Sequence, residues 1–240
     1  MAIFLDPEFA DEMGLVAVGG DLEPQRLVEA YCSGIFPWFD EGGPVLWWSP
    51  DPRAILEIDG LHVSRRLART LRSGKFRCTI NHAFDQVIRG CADRTEGTWL
   101  VPDMIAAYER LFRLGLAHSV EAWCGDELAG GIYGVAIRGL FAAESMFTRR
   151  TDGSKAALVF LADHLRRRGF QLFDIQMITQ HTLRLGAVEI PRKEYLERLK
   201  RALECDVAFI GGFKTGTGPL EFKGPVPVLK PPFIDKKDPS

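Results

Sequence analysis

Two carboxylates stand where carboxylates are costly. Glu144 lies in the apolar, aromatic run from Leu140 to Phe147, and Asp174 lies in the run from Phe170 to Ile178. A charge inside an apolar strand has to be paired or put to use. Gln176 follows Asp174 by two residues, so strand alternation places both side chains on one face. Two carboxylates on neighbouring strands suit a cationic partner. Together they would form an anionic socket. Their other reading is a structural salt bridge. We expect a reaction centre between these two strands.

A second set of residues suits phosphate. Residues 61–77, LHVSRRLARTLRSGKFR, contain no acid. Ser64 can cap a helix on which Arg65, Arg69 and Arg72 share one face, with Leu67 and Leu71 opposite. Arg66, Lys75 and Arg77 widen the cationic surface. Ordinary solvated faces interleave both signs, whereas clustered arginines without acids fit phosphate contact. The stretch from Phe36 to Arg53 holds Trp38, Trp47 and Trp48 among four prolines. The prolines favour an extended, loop-like course. Large aromatics there either plug a domain interface or stack on a nucleobase. Trp47 and Trp48 read as interface packing.

Other reactive residue types lack partners. The five histidines show no metal-ligand spacing, and His181 reads as a hydrogen bonder at a helix start. No cysteine has a visible histidine partner, and Ser145 has no nucleophile elbow.

The elements that must position these groups can be read from periodicity. Leu140–Phe147 is a strand and Thr148–Ser154 a basic turn. A helix follows with Ala157, Leu158, Leu161 and Leu165 on one face, three arginines in its last turn and Gly169 as its stop. A second strand, 170–178, completes a βαβ unit whose two strands should be parallel. Upstream, 117–123 and 128–137 are antiparallel strands joined at Gly125-Asp126. Asp103 caps a helix with Ile105, Tyr108, Leu111 and Phe112 buried, and 192–203 is the last helix. Leu15–Val18 is a brief strand and Pro24–Cys32 a helix stopped by Gly34. Residues 1–60 form a small N-terminal α/β unit and 61–205 the main domain. Residues 206–240, rich in Gly, Pro and Lys, form a loosely attached tail.

Composition narrows the class. The 240 residues are 46% hydrophobic, enough for a core, and carry a net charge of −2, so any nucleic-acid signal is local. Five cysteines without a CxxC pair argue for reduced thiols in a cytosolic protein. No segment approaches the ~18 apolar residues that span a bilayer.

The order β-α-α-β-β-β-α-β-α from residue 75 resembles the fold of the GCN5-related N-acetyltransferases. Their acyl-CoA phosphate loop is matched only in part by Arg150-Thr151-Asp152-Gly153-Ser154-Lys155. The motifs IFPWF (35–39), LWWSPDPR (46–53), EGTW (96–99), FAAESMFTR (141–149), SKAAL (154–158), DIQ (174–176) and HTLRLGAVEIPRKEYL (181–196) together resemble the bacterial aminoacyl-tRNA–protein transferases. That resemblance covers roughly 15–205. It implies transfer of leucine, phenylalanine or methionine from tRNA to the N-terminal Arg or Lys of a protein, creating a degradation signal. It also implies an acetyltransferase-like domain that uses no metal and no coenzyme A, in a monomeric, cytoplasmic enzyme. On the same basis Trp38 and Trp99 would flank the terminal adenosine, and Phe141 would help line the amino-acid pocket. Glu144, Asp174 and Gln176 would surround the ester and the acceptor amine, the amine's proton being handled either by Gln176 polarised by Asp174 or through the tRNA's ribose hydroxyl. Arg65, Arg69, Arg72 and Lys75 would hold the acceptor stem. An acyl-CoA-dependent N-acetyltransferase and a non-catalytic tRNA-binding module are the alternatives.

Overall fold

A computed structural model describes residues 6–93 and 98–210, together with the backbone of Leu220–Glu221. The N-terminal unit contains β1 (Leu15–Val18), α1 (Pro24–Cys32), β2 (Phe36–Pro37) and β3 (Leu46–Trp48). The three strands form a small antiparallel sheet in the order β1-β3-β2. The stretch expected to be a loop therefore carries two short strands. The Trp47 and Trp48 backbones pair on both sides, and Pro37 sits on an edge strand where its missing N–H is tolerated. The Trp47 indole donates to the Gly19 carbonyl at 2.9 Å, and the Trp48 indole to the Trp38 carbonyl at 2.7 Å.

The chain continues with β4 (Arg53–Leu56), α2 (Arg65–Arg72), β5 (Arg77–Ile80), α3 (Phe84–Ala92) and α4 (Pro102–Arg113). Next come β6 (Ala117–Cys124), β7 (Glu127–Ile137), β8 (Leu140–Thr148), α5 (Gly153–Arg168) and β9 (Leu172–Gln176). It closes with α6 (Gln180–Leu183), β10 (Ala187–Ile190), α7 (Arg192–Glu204) and β11 (Leu220–Glu221). Among the described residues, eight strands form one mixed sheet, ordered β10-β4-β9-β8-β7-β6-β5-β11. The β8–β9 pair is parallel, as the βαβ reading requires, and its neighbours are antiparallel.

Strand β4 and the start of α4 also depart from the periodicity reading. Strand β4 falls within residues 1–60 yet joins the large sheet between β9 and β10, a strand not foreseen as such. Helix α4 starts at Pro102 with Val101 at its cap, leaving Asp103 in the first turn. Proline needs no N–H partner at that position, which explains the earlier start.

The sheet has a core on each face. One packs against α1, α3, α4 and α7 and includes Tyr31, Tyr108 and Tyr195. The other packs against α2 and α5 and includes Phe141 and Phe173. Phe209 belongs to this second core, 3% exposed, with His164 bonded to its carbonyl at 2.7 Å. Residues 206–210 of the expected loose tail thus include a packed anchor. The rest of that segment, apart from the backbone of β11, lies outside the described residues.

The register of the sheet shifts beside the two acids. Tyr133 pairs with Ser145 and Gly134 with Ala143, so Glu144 is an extra residue in β8. On β9, Gln176 pairs with Ala54 and Asp174 with Ile55, so Ile175 is extra there too. Bulges of this kind re-aim side chains beside functional sites. The parallel pairing runs only from Leu140↔Leu172 to Ala142↔Asp174, after which the strands part. Opposite the bulge, a Cβ on Gly134 would run into the Ala142 carbonyl and the Phe141 ring. Gly134→Ala should therefore cost about 1–3 kcal/mol in urea unfolding. An unchanged midpoint would show that the bulge does not need this close approach.

Candidate active site

The parting of β8 and β9 opens a cavity of about 610 Å³. Phe36, Pro37 and Trp38 come from the N-terminal unit, and Trp99 from the loop before α4. Glu144 to Thr148 come from β8, Ser154 and Leu158 from α5, and Ile175, Gln176 and Met177 from the end of β9. Thr179, His181 and Thr182 complete one side, and Leu56, Ile132 and Ala143 the apolar floor. Trp38 is 39% exposed, an uncommon exposure for so large a ring.

The two carboxylates have different surroundings. Asp174 is 1% exposed and does not line the cavity. Its Oδ1 accepts from Arg53 Nε and from the Gln176 backbone N–H, both at 2.9 Å. Its Oδ2 accepts from Arg53 Nη2 at 2.7 Å and from the Tyr195 hydroxyl at 2.9 Å. Arg53 is equally buried; its Nη1 reaches the Gly34 carbonyl at 3.1 Å, and its guanidinium lies 4.5 Å from the Tyr195 ring centroid. The expected socket of two carboxylates is therefore not formed. A carboxylate this buried requires a cation, and Arg53 from β4 supplies it. Asp174 instead fixes the backbone of Gln176. That residue has φ 58°, and the Met177 N–H closes back on the Ile175 carbonyl at 2.7 Å. A three-residue turn through a positive φ is strained for a side chain of this size, and the Asp174 hydrogen bond holds it.

Glu144 is half-buried on the cavity wall. Its Oε1 accepts from Gln176 Nε2 at 2.9 Å and its Oε2 from the Tyr108 hydroxyl at 2.7 Å. Tyr108 in turn meets the Tyr31 hydroxyl at 2.8 Å. Burial pushes the Glu144 carboxyl up to about 7; the Asp174 charge adds to this, while the bonds from Tyr108 and Tyr31 and the Arg53 charge oppose it. Burial and the Glu144 charge hold the Tyr108 phenol well above its ordinary value, so it remains a donor.

The remaining expected residues are distributed unevenly. Trp38, Trp99, Glu144 and Gln176 share the cavity. Phe141 does not line it: the ring is 1% exposed and packs on Phe173 and Phe209. It sits one step deeper than Ala143 on the same face, where β8 and β9 are still paired. Arg65, Arg69, Arg72 and Lys75 are exposed on and after α2 and form no ion pair among the described residues. Arg66 reaches Asp152 at 3.6 Å, which ties α2 to the turn before Ser154. Asp152 is also met by Lys155 at 3.2 Å, and Arg150 is paired with Glu127. The cap of α6 is the Thr179–Thr182 pair, while His181 faces the cavity. Of the EGTW motif, residues 96–97 lie outside the described residues. No group of three or more His, Cys, Asp or Glu that could hold a metal occurs among the described residues.

A family profile described as Leucyl/phenylalanyl-tRNA protein transferase matches residues 55–200, and its N-terminal domain profile matches residues 20–51. The chain belongs to this family. A leucyl/phenylalanyl-tRNA–protein transferase of Anaeromyxobacter sp. (strain Fw109-5) is 56% identical over 205 residues, 84% of this chain and 87% of the relative. Relatives of the same name in Magnetococcus marinus and Citrobacter koseri are 55% and 53% identical, over 83% and 82% of this chain and 88% and 85% of theirs. The transferase profile begins inside β4, so Arg53 falls just outside both matched segments.

Sequence reasoning missed Arg53, Tyr195, Tyr108 and Tyr31 as parts of this site. Arg53 had a readable signal, a basic residue opening the apolar run Ala54-Ile55-Leu56. The tyrosines had none, because each also fits an ordinary helix stripe.

Asp174→Asn leaves a buried Arg53 charge and should cost about 3–5 kcal/mol. Arg53→Met combined with Asp174→Asn should be more stable than Asp174→Asn alone. Equal stability of the two in denaturant titrations would show that the pair is not coupled. For Glu144, the folded value near 7 lies above the ordinary 4.5, so its penalty is absent below 4.5 and grows up to 7. Relative to Glu144→Gln, the native protein should lose stability across that window, on the order of 3 kcal/mol at most, and stay level above it. A pH-independent difference between the two would contradict the burial argument.

Proposed function

We propose that the cavity receives the aminoacylated 3′ end of a tRNA and transfers leucine or phenylalanine to the N-terminal amine of an acceptor protein. The observation that carries the reading is the meeting of two tryptophans, a carboxylate and a carboxamide on one apolar cavity in a chain of this family. The ester is already activated, so positioning supplies much of the rate. A protein α-amine, with a pKa of about 7.7–8.0, is partly neutral at pH 7 and needs no strong base. Gln176 Nε2 is engaged by Glu144, and Oε1 has no hydrogen bond among the described residues, so it is the group left to orient the amine.

Trp38 and Trp99 stack on the terminal adenosine. Ile132, Met146, Leu158 and Ile175 hold the amino-acid side chain; Phe141 supports that floor from beneath. Apolar lining of this kind accepts leucine, phenylalanine and methionine alike. Glu144 faces the acceptor, which carries N-terminal Arg or Lys, and the product is a signal for degradation. Arg65, Arg69, Arg72 and Lys75 hold the acceptor stem, a reading supported by their unpaired charge and by the Arg66–Asp152 contact beside the cavity. The antiparallel run β5 to β8 followed by the parting parallel pair β8–β9 supports a GCN5-related N-acetyltransferase-like fold. We further propose that the enzyme is a cytoplasmic monomer.

The direct test is transfer of radiolabelled leucine from charged tRNA to a peptide beginning with Arg; no transfer to that peptide would refute the reading. The parts separate with a minimal donor, an aminoacyl-adenosine. Trp38→Ala should weaken the minimal donor and the full tRNA alike, by about 1–3 kcal/mol. Arg65→Ala with Arg69→Ala should raise KM for the tRNA only and flatten its salt dependence. An unaltered salt slope would remove α2 from the tRNA site.

A further inference from the structure

Among the described residues the cavity wall holds one carboxylate, Glu144. A carboxylate has about four acceptor positions. Those of Asp174 are filled by Arg53, Tyr195 and the Gln176 backbone. Protonating Asp174 would break a buried ion pair and release the turn that carries Gln176. Glu144 is different. Gln176 donates to Oε1 and Tyr108 to Oε2, and Tyr31 also acts on the group, which leaves at least one of about four acceptor positions open, and the bulge in β8 turns the group toward the cavity. Behind it stand two phenols in series, Tyr108 from α4 and Tyr31 from α1, 0% and 2% exposed.

We infer that Glu144 takes the proton lost by the attacking amine, and that Tyr108 and Tyr31 are positioning residues that set its readiness to do so. The inference rests on the aminoacyl-transfer reading of the cavity. The amine nitrogen forms a bond to the ester carbonyl carbon, and the bond from that carbon to the ribose oxygen breaks. The proton leaving nitrogen passes to the Glu144 carboxylate, and from there to the departing ribose oxygen. Gln176 Oε1 orients a remaining N–H. No further reactant is needed for the balance.

The groups acting on Glu144 are Tyr31 on α1, Tyr108 on α4, Gln176 and Asp174 on β9 and Arg53 on β4. Tyr133 on β7 packs edge-on against Tyr108, with ring centroids 5.3 Å apart. A carboxyl lifted to about 7 lies near the α-amine it would serve, where proton transfer is most efficient. A hydrogen bond to the charged form favours that form, so losing the Tyr108 hydroxyl should raise Glu144 further.

The test is kcat against pH from about 5.5 to 8.5, with saturating leucyl-tRNA and an Arg peptide, for the full-length protein and its Tyr108→Phe, Tyr31→Phe and Glu144→Gln variants; this range brackets the free amine and Glu144. Circular dichroism checks that each is folded. Tyr108→Phe should move the acidic limb upward by about one pH unit, and Tyr31→Phe should move it the same way by less. Glu144→Gln should lower kcat by about 100-fold or more, with the donor KM unchanged, and leave an acidic limb set by the amine alone at about 7.7–8.0. A Tyr108→Phe profile superimposable on the native one overturns the inference. So does a Glu144→Gln variant that keeps turnover but raises the donor KM, which would make Glu144 a counter-ion for the α-ammonium of the donor. Absence of transfer by the native protein would overturn the aminoacyl-transfer reading itself, and the inference with it.

Discussion

The buried pair of Arg53 and Asp174 is the constraint from which the site follows. Neither side chain is more than 1% exposed. A charge removed from water to this depth survives only with close geometry and its remaining hydrogen-bonding groups satisfied. Meeting that condition draws in four parts of the chain. Asp174 comes from β9 and Arg53 from β4, the Gly34 carbonyl from the end of α1, and the Tyr195 hydroxyl from α7. The N-terminal unit is thereby locked against the large sheet. The same carboxylate holds Gln176 at a positive φ, and the parallel pairing of β8 with β9 ends at Asp174, where the cavity opens.

The division of labour between the two carboxylates is set by their neighbours. Asp174 has a guanidinium beside it and acts as a fixed anion that shapes the backbone. Glu144 has phenols and a carboxamide, no adjacent cation, and a wall position; burial therefore brings it into the range where a proton can be exchanged at neutral pH. The two acids stand on neighbouring strands, one buried in an ion pair and the other on the cavity wall. The bulge at Glu144 contributes as much as the electrostatics, since without an extra residue β8 would remain in register with Tyr133 and keep a uniform alternation.

Much of the helical and central strand pattern was legible. Helices α1, α2 and α5 and the β6–β7 hairpin follow from periodicity, from Ser64, which accepts the Leu67 N–H at 3.2 Å, and from glycine stops such as Gly169 at φ 80°. The neighbouring positions of Glu144 and Gln176 followed from the βαβ reading. What escaped was long-range. Strands β4 and β10 are four residues each and pair with one another across more than 130 positions of sequence, a contact no local pattern encodes. Asp174 could be recognised as a buried acid, but its partner lies 121 residues away. The bulges had no local mark either, so strict alternation put Asp174 and Gln176 in equivalent places when only Gln176 reaches the cavity. Phe141 was misplaced for a related reason: its depth depends on where β8 and β9 cease to pair.

The claim that this cavity binds the aminoacylated end of tRNA is tested most directly by a crystal structure of the full chain with a non-hydrolysable phenylalanyl-adenosine, its ester replaced by an amide. The account predicts the adenine against Trp38 and Trp99, the phenyl ring among Ile132, Met146 and Leu158, and the amide carbonyl beside Gln176 and Glu144. An analogue bound elsewhere, or one whose adenine and phenyl ring exchange these places, would contradict it.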